Sequence, residues 1–182
     1  SLSKVGGKGL FTKEIEQALF ERRADFAVHS FKDVPAQLDP TFVIACIPQR
    51  ADARDVLVSR TGVSLRDLPQ GAKVGTSSLR RRLELLAQRP DLAVIEMRGN
   101  VDTRLRKLDA GEFDAIVLAA AGLHRLGLAH RITEVLDPGT CIPAAGQGAL
   151  AIQCRADDAE TRAILAKLHD LETAIAVAVE RG

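Results

Sequence analysis

Short apolar runs alternate along this chain with segments of helical periodicity. The runs Asp25–Val28 and Phe42–Ile47 have the length of strands and end in charged or turn-forming residues, as buried strands do. The same pattern predicts further strands at Asp55–Ser59, Lys73–Val74, Leu92–Met97, Asp114–Ala119 and Ala149–Cys154. Strands that alternate with helices predict an α/β fold.

Helices are predicted from apolar spacing, capping residues and closing glycines. The first is expected to begin at an N-cap, Thr12, and another to begin at a capping box formed by Asp157 and Glu160. Further helices are predicted from Ser78 to about Gln88, at Val101–Asp109 before Gly111, and from the end of the strand Asp114–Ala119 to Leu126. The last two are predicted at Arg131–Leu136 and Leu171–Arg181, and a helical turn is expected near Ser64–Leu68.

Two polar or small-residue stretches interrupt this alternation. Pro48–Arg54 has no apolar pattern, and Ile142–Gly148 is rich in Ala and Gly. We therefore expect two lobes, with the chain crossing from the first to the second and returning. The cleft between such lobes is the expected binding place. The predicted boundaries are 1–48 with 149–169 for the first lobe, 54–142 for the second, and 49–53 and 143–148 for the hinge linkers.

A group of polar side chains follows the first predicted strand. His29, Ser30, Lys32 and Asp33 come directly after Val28, at the carboxyl end of a strand, where α/β proteins bind ligands. Pro35 disfavours a helix at this point, so Lys32 and Asp33 are expected on a defined loop. A Lys-Asp pair in a loop is most often only solvated. Other features of the chain favour a functional role for this pair.

Arginines recur after the strands of the second predicted lobe. The turn Gly75–Ser78 leads into a helix that carries Arg80 and Arg81, an arrangement that binds carboxylates or phosphates. It is not a P-loop, because the Gly-Lys-Ser/Thr pattern is absent. Taken alone, the turn fits an anion site and a capped helix with a solvated basic face equally well. Further arginines follow the next two strands and predict a cleft for a ligand with several negative groups: Arg98, Arg104 and Arg125.

Composition excludes several other classes of function. The net charge is +1, and Trp and Tyr are absent, which argues against a nucleic-acid binder. No apolar run is long enough to span a membrane. The three cysteines, Cys46, Cys141 and Cys154, are odd in number and widely spaced, as in a chain from the reducing cytoplasm. We expect a cytoplasmic protein without a bound metal.

The start of the sequence is rich in glycine and lysine. Residues 4–9, Lys-Val-Gly-Gly-Lys-Gly, predict a mobile loop that carries Lys4 and Lys8. Phe11 follows it and fits equally a contact with a ligand or a place in the core.

Several motifs together resemble the porphobilinogen deaminase family, also called hydroxymethylbilane synthases. They occur in the family's order over essentially the whole chain: Lys4–Phe11, His29–Pro35, Gly75–Arg81, Leu108-Asp109 with Phe113–Ile116, Ala121–Gly127, and Pro143–Gly148. The resemblance implies a transferase of haem and porphyrin biosynthesis. Such an enzyme deaminates porphobilinogen and joins the units head to tail into hydroxymethylbilane, a linear tetrapyrrole. The growing chain is held on a covalent dipyrromethane cofactor. The implied fold has three α/β domains, of which the first two resemble periplasmic binding proteins.

The resemblance also implies roles for particular residues. Asp33 matches the family's catalytic carboxylate, and Lys4, Lys8 and Phe11 match its flexible segment near the cleft. The positions that match cofactor contacts are Ser30, Lys32, Asp33, Thr76, Ser77, Ser78, Arg80, Arg81 and Arg98. Those that match substrate contacts are Arg98, Arg104, Arg125 and Gln147.

The chain departs from the family pattern at both ends. The family attaches its cofactor to a cysteine in a Gly-Gly-Cys loop of the third domain, and none of the three cysteines has that setting. We expect 170–182 to be the opening helix of a truncated third domain, and the family's first strand and helix to be missing. The 182 residues alone are therefore expected to be inactive, and the whole enzyme to be a monomer that needs neither nucleic acid nor membrane.

One alternative function, which is not that of an enzyme, fits the same predicted lobes, linkers and arginines. A non-catalytic anion-binding module of the periplasmic-binding-protein type would need them as well. It would not need Lys32 and Asp33 on a rigid loop after the first strand.

Overall fold

The computed structural model describes residues 7–182, with side chains from Lys13 onward. The chain divides into two compact units, Ser1–Ala51 with Ala149–Gly182 and Asp52–Gly148. Both units combine strands with helices, as the α/β prediction requires. Among the described residues, no helix is both long and apolar enough to cross a membrane.

Unit 1 is built on a three-stranded antiparallel sheet. Its strands are β1 (Phe26–Ser30), β2 (Phe42–Cys46) and β8 (Leu150–Arg155), in the order β1-β8-β2. The central strand is therefore the one that returns after unit 2. In register, Phe26 lies opposite Cys154 and Ser30 opposite Leu150. The helices of this unit are α1 (Gly7–Phe20), α5 (Ala159–Leu165) and α6 (Leu171–Arg181).

Unit 2 contains a mixed five-stranded sheet. The strands are β3 (Asp55–Ser59), β4 (Lys73–Gly75), β5 (Ala93–Ile95), β6 (Ala115–Ala119) and β7 (Glu134–Val135), in the order β5-β4-β6-β3-β7. Strand β4 pairs in parallel with both β5 and β6, whereas β3 is antiparallel to β6 and β7. The helices are α2 (Leu79–Gln88), α3 (Val101–Asp109) and α4 (Ala120–Arg125).

The sheet of unit 2 separates two clusters of buried side chains. One includes Leu57, Val74 and Val117, and the other includes Val58, Ile116 and Leu118. Strands with apolar side chains on both faces are those that helices or loops cover on both sides. This arrangement explains why β3 and β6 are continuous apolar runs in the sequence.

The structure corrects four predicted elements. Helix α1 begins at Gly7, so the loop predicted over 4–9 is wrong from that residue on; Lys4 and the side chains of Lys8 and Phe11 lie outside the described part. Within the predicted helix Arg131–Leu136, Arg131 ends a 3₁₀ turn and the residues after it form an extended segment that contains β7. Its backbone pairs with the edge of β3, since Thr133 N donates to Leu57 O at 2.9 Å. This pairing outweighs a weak local preference for helix.

The third correction concerns the start of α5. Its N-cap is Asp158, whose side chain accepts a hydrogen bond from Thr161 N at 3.0 Å, rather than Asp157. The stretch near Ser64–Leu68 forms turns and no helix. The predicted closing glycine of α3, Gly111, does follow the helix with φ of 77°.

Candidate functional site

In unit 1, the predicted Asp33 loop is a single 3₁₀ turn, Phe31–Asp33, directly after β1. Phe31 N donates to Ala149 O at 3.0 Å, and Val34 N donates to Phe31 O at 3.1 Å. Phe31 and Val34 are buried, Lys32 is half-buried and Asp33 is exposed. The two apolar side chains therefore anchor the turn on either side of an exposed carboxylate.

The polar residues before this turn belong to the sheet. The imidazole Nε2 of His29 lies 2.9 Å from Gln153 Oε1, and Gln153 Nε2 donates to Glu16 Oε1 at 3.0 Å. Ser30 is half-buried and is the last residue of β1. His29 thus has a structural role between β1 and β8, as its neighbouring strand residues do.

In unit 2, the turn 76–78 connects β4 to α2 and is stabilised by its own hydroxyl groups. Ser78 caps the helix and accepts from Arg81 N at 3.4 Å, while Thr76 Oγ1 accepts from Ser78 N at 3.2 Å. Ser77 Oγ donates to Met97 O at 2.8 Å. Thr76 is buried. Its predicted contact with a cofactor stays a prediction. A cavity of about 160 Å³ lies against this turn, lined by Thr76, Ser77, Ser78, Leu79, Arg82 and Glu96.

Glycine allows a close backbone approach where this turn begins. A Cβ on Gly75 would lie 2.8 Å from Met97 Cε and 3.0 Å from Phe113 Cδ1. Both neighbours are buried in the core of unit 2. The backbone of β4 can approach them only because position 75 has no side chain.

The carboxyl ends of β4, β5 and β6 lie at one edge of the sheet, because these strands are parallel. Strand β3 runs in the opposite direction, and its first residue, Asp55, lies opposite Ala119, the last residue of β6. The edge that carries the predicted arginines therefore also carries a carboxylate. Asp55 is fully buried there.

Asp55 holds Arg80 and Arg81 with both of its carboxylate oxygens. Arg80 Nη2 donates to Oδ2 and Arg81 Nη2 to Oδ1, each at 2.6 Å. Gln147, also buried, donates from Nε2 to Asp55 Oδ1 at 2.8 Å and to Ala53 O at 2.6 Å. Burial alone would raise the pKa of the Asp55 carboxyl, but the hydrogen bonds and charges of Arg81 and Arg80 outweigh it and lower that pKa. Recognition of an external carboxylate by these two arginines stays a prediction.

The other predicted arginines differ in their surroundings. Arg104 is half-buried; its Nε donates to Gly99 O at 2.8 Å and its Nη2 lies 3.5 Å from Ser77 Oγ. Arg98 is exposed and pairs with Glu96 at 2.7 Å. Arg125 donates from Nη2 to Gly148 O at 2.7 Å. Within residues 13–182, Arg104 and Arg125 form no ion pair, which leaves their charges available to an anionic ligand.

Burial affects the charge of Arg104. Desolvation, with a smaller contribution from the nearby charge of Arg81, lowers the pKa of its guanidinium. A half-buried cation with no carboxylate beside it gains the most from an anion that supplies one. Arg104 is therefore the strongest anion-binding candidate at this edge.

Three potential metal ligands lie close together, but they form an ion-pair cluster with an arginine. The ligand atoms of Asp55, Glu84 and Cys141 are within 4.8 Å of one another. Arg80 donates to both carboxylates, at 2.6 and 2.8 Å. Burial, followed by the charge of Asp55, raises the pKa of the Cys141 thiol to about 12. The acids are thus neutralised and the thiol is protonated at neutral pH.

Neither of the other cysteines offers a reactive thiol. Cys46 and Cys154 are buried and unpaired, and burial raises the pKa of each. A thioether to a cofactor needs an accessible thiolate. Attachment of the cofactor to a cysteine other than these three stays a prediction.

Two residues important to the candidate sites were missed by the sequence analysis. Asp55 was assigned only to a strand, and Arg181 only to a helix. Arg181 contacts the Asp33 turn from 150 positions away. Partners this distant in sequence leave no local signal.

Among solved structures, two binding proteins share the fold of this chain. The methionine-binding protein MetQ has a TM-score of 0.56 at 17% identity, with 90% of this chain and 77% of that chain covered. A periplasmic substrate-binding protein of an ABC transporter from Coxiella burnetii has a TM-score of 0.53 at 16% identity, covering 91% and 80%. At these identities, the similarity confirms the predicted fold class and nothing more.

The sequence itself has much closer relatives. The porphobilinogen deaminase of Sorangium cellulosum (strain So ce56) is 60% identical over 182 residues, which are all of this chain and 61% of the relative. That of Brevibacillus brevis (strain 47 / JCM 6285 / NBRC 100599) is 59% identical over all of this chain and 59% of its own length. The chain thus spans about three fifths of these relatives. A family model described as "Porphobilinogen deaminase, dipyromethane cofactor binding domain" matches residues 1–163. The chain belongs to the porphobilinogen deaminase family.

Proposed function

We propose that this chain supplies the first two domains of an enzyme that deaminates porphobilinogen and joins the units into the linear tetrapyrrole hydroxymethylbilane. The observation that carries the proposal is the family match over residues 1–163, together with an exposed carboxylate and a basic strand edge at the positions the motifs require. The proposed catalytic residue is Asp33.

Asp33 has the chemistry that this reaction needs. Loss of ammonia from porphobilinogen leaves a cationic methylenepyrrolenine. A carboxylate within hydrogen-bonding distance of the pyrrole N–H groups stabilises that cation and transfers protons at each addition. The exposed position of Asp33 between the buried Phe31 and Val34 suits such a role, because the side chain is accessible while its backbone is fixed. Ser30 and Lys32 are proposed to contact the cofactor beside it.

The arginines of unit 2 are proposed to bind the acetate and propionate groups. Arg104 is the first candidate, since it is half-buried without an ion pair in the described part of the chain. Arg98 and Arg125, after β5 and β6, extend the same basic edge. Arg80 and Arg81 contribute positive charge close by while Asp55 fixes their guanidinium groups.

The residues at this edge fit a dipyrromethane cofactor. That cofactor supplies, when bound, the primer to which pyrrole units are added. It carries four carboxylates, for which Arg104, the Ser77 hydroxyl and the N-terminus of α2 are the proposed partners. The buried, protonated thiols are consistent with covalent attachment outside this chain. The longer relatives leave room for that cysteine.

The cellular setting of the enzyme is also part of the proposal. We infer a cytoplasmic monomer that binds porphobilinogen and needs neither nucleic acid nor a membrane. Three buried, unpaired cysteines are compatible with a reducing compartment, and the net charge of +1 gives no general attraction to polyanions.

The test uses the full-length protein. Its intact mass should exceed the polypeptide mass by one dipyrromethane, and it should convert porphobilinogen into a linear tetrapyrrole with release of ammonia. A protein that binds porphobilinogen without an excess mass and without turnover would favour the non-catalytic anion-binding module instead. A protein that does neither would contradict both readings.

A further inference from the structure

The side chain of Arg181 spans the turn that carries Asp33. Its Nη1 donates to Phe31 O at 3.0 Å, and its Nη2 donates to Val34 O at 3.0 Å and to Pro35 O at 3.1 Å. These carbonyls lie before and after Asp33 in sequence. One guanidinium thus fixes both sides of the turn.

The same guanidinium also stacks on the turn. Its Cζ lies 4.7 Å from the centroid of the Phe31 ring. Phe31 is 8% exposed, so the contact is shielded from water, where a cation–π interaction is strongest. Only arginine combines a flat stacking surface with several donors in one plane.

The helix that carries Arg181 is itself held in unit 1. Val177 packs in the same buried cluster as Phe31 and Val34. Arg50 N donates to Thr173 Oγ1 at 3.0 Å, and Arg50 Nη2 donates to Glu180 Oε2 at 2.9 Å. The guanidinium of Arg181 is therefore presented from a fixed element rather than from a free chain end.

We propose that Arg181 is a positioning residue that fixes the Asp33 turn for catalysis. The inference rests on the proposed function of Asp33. Under the proposed function, the arginines of unit 2 bind the carboxylates of the substrate, so a loosened Asp33 turn should affect the reacting atoms more than it affects binding. Replacement of Arg181 should lower kcat and leave KM nearly unchanged, and a displacement of about 1 Å lowers rates by about 10²-fold.

The test compares Arg181→Leu and Arg181→Lys with Glu180→Gln in the full-length protein. Glu180 is the matched control, because it is the neighbouring residue on α6 and its carboxylate accepts from Arg50. Two readouts are needed: amide hydrogen exchange at Val34, whose N–H bonds to Phe31 O within the turn, and kcat with KM for porphobilinogen. Arg181→Leu should raise the exchange rate at least about tenfold and lower kcat about 10²-fold. Arg181→Lys should show an intermediate loss.

The outcomes separate this inference from the function on which it rests. Unchanged exchange at Val34 in both Arg181 variants would overturn it, and so would faster exchange with unchanged kcat. Equal effects in Glu180→Gln would also overturn it, since they would assign the loss to a loosened α6. If Arg181→Leu does not fold, Arg181→Lys decides, because it keeps the charge beside Phe31. Normal turnover by Asp33→Asn would instead refute the proposed role of Asp33, while the exchange readout would still test the contact.

Discussion

At the scale of single residues, the buried carboxylate of Asp55 connects two arginines of the basic edge. It is the shared partner of Arg80 and Arg81, and Arg81 is itself 6% exposed. A buried ion pair contributes little relative to an apolar replacement, but removal of one partner leaves an uncompensated charge. The attraction between Asp55 and its arginines therefore adds little net stability. The main role of Asp55 is to keep two guanidinium groups in place.

Asp55→Asn should destabilise the protein by about 3–5 kcal/mol, because it leaves Arg81 buried without a counter-charge. Urea denaturation measures the change. The control is Asp52→Asn, which breaks a partly exposed pair with Arg54 in the same unit and should cost less than about 1 kcal/mol. Equal losses in the two variants would show that the buried position of Asp55 has no special importance.

The same carboxylate predicts how stability depends on pH. The pKa of Asp55 is lowered in the folded state, so the stabilisation is fully present above the unfolded-state value of about 3.9. It is lost as the pH falls through the lower folded-state value. The free energy of unfolding of the wild type should therefore decrease more steeply below pH 4 than that of Asp55→Asn. Parallel curves for the two proteins would contradict this assignment.

Asp33→Asn should abolish turnover by the full-length protein and leave the fold intact, because the side chain is exposed and the change nearly isosteric. Loss of one well-placed electrostatic contact lowers rates about 10²–10³-fold, and a residue used in every proton step should cost more. Steady-state kinetics and a thermal melt measure the two effects. Near-normal product formation would refute the catalytic assignment.

Arg104→Leu should weaken binding without destabilising the fold, since this guanidinium has no ion pair to lose within the described residues. A hydrogen bond to a charged group contributes about 1.5–3 kcal/mol, which corresponds to a 10- to 100-fold rise in Kd for porphobilinogen. Arg106→Leu is the matched control on the same helix, because Arg106 is exposed. A lower melting temperature with unchanged binding would make Arg104 a structural residue.

At the scale of elements, the strand-to-helix turn after β4 depends on a close backbone approach. Gly75→Ala should destabilise unit 2 by about 1–3 kcal/mol, because the added methyl group overlaps buried Met97 and Phe113. Gly122→Ala should be neutral or stabilising by about 0.4–1 kcal/mol, since its nearest new contact is an ordinary one at 3.8 Å. Thermal melts of both variants test the contrast, and a stable Gly75→Ala protein would show that Met97 can move aside.

The elements that could be predicted from the sequence are those with strong local signals. Strand β6 is a continuous apolar run, and the turn before α2 has a glycine and a capping serine, so both were predicted in place. Strand β7 exists only because β3 offers an edge, which no local pattern reveals. For the same reason, the turn before α2 could be predicted, whereas the pairing of its arginines with Asp55 and the contact of Arg181 with the Asp33 turn could not.

At the scale of the whole molecule, the two units differ in how much of the chain each one needs. The sheet of unit 1 has β8 at its centre, so this unit needs residues from both sides of unit 2. Unit 2 is continuous from Asp52 to Gly148 and has its own buried clusters. Its ends are joined internally, because Gln147 donates to Ala53 O and to Asp55.

Residues 52–148 expressed alone should therefore fold cooperatively, with a single unfolding transition and strong amide protection at Ile116–Leu118 in the centre of the sheet. Residues 1–51 alone should show neither, because β1 and β2 both pair with the absent β8. Gln147→Ala in the isolated unit should lower its stability by about 1–3 kcal/mol, the effect of leaving buried hydrogen-bonding groups unsatisfied. Urea denaturation followed by circular dichroism measures all three results. If the isolated piece lacks a cooperative transition, the contacts inside Asp52–Gly148 are insufficient, and folding of this unit requires the rest of the chain.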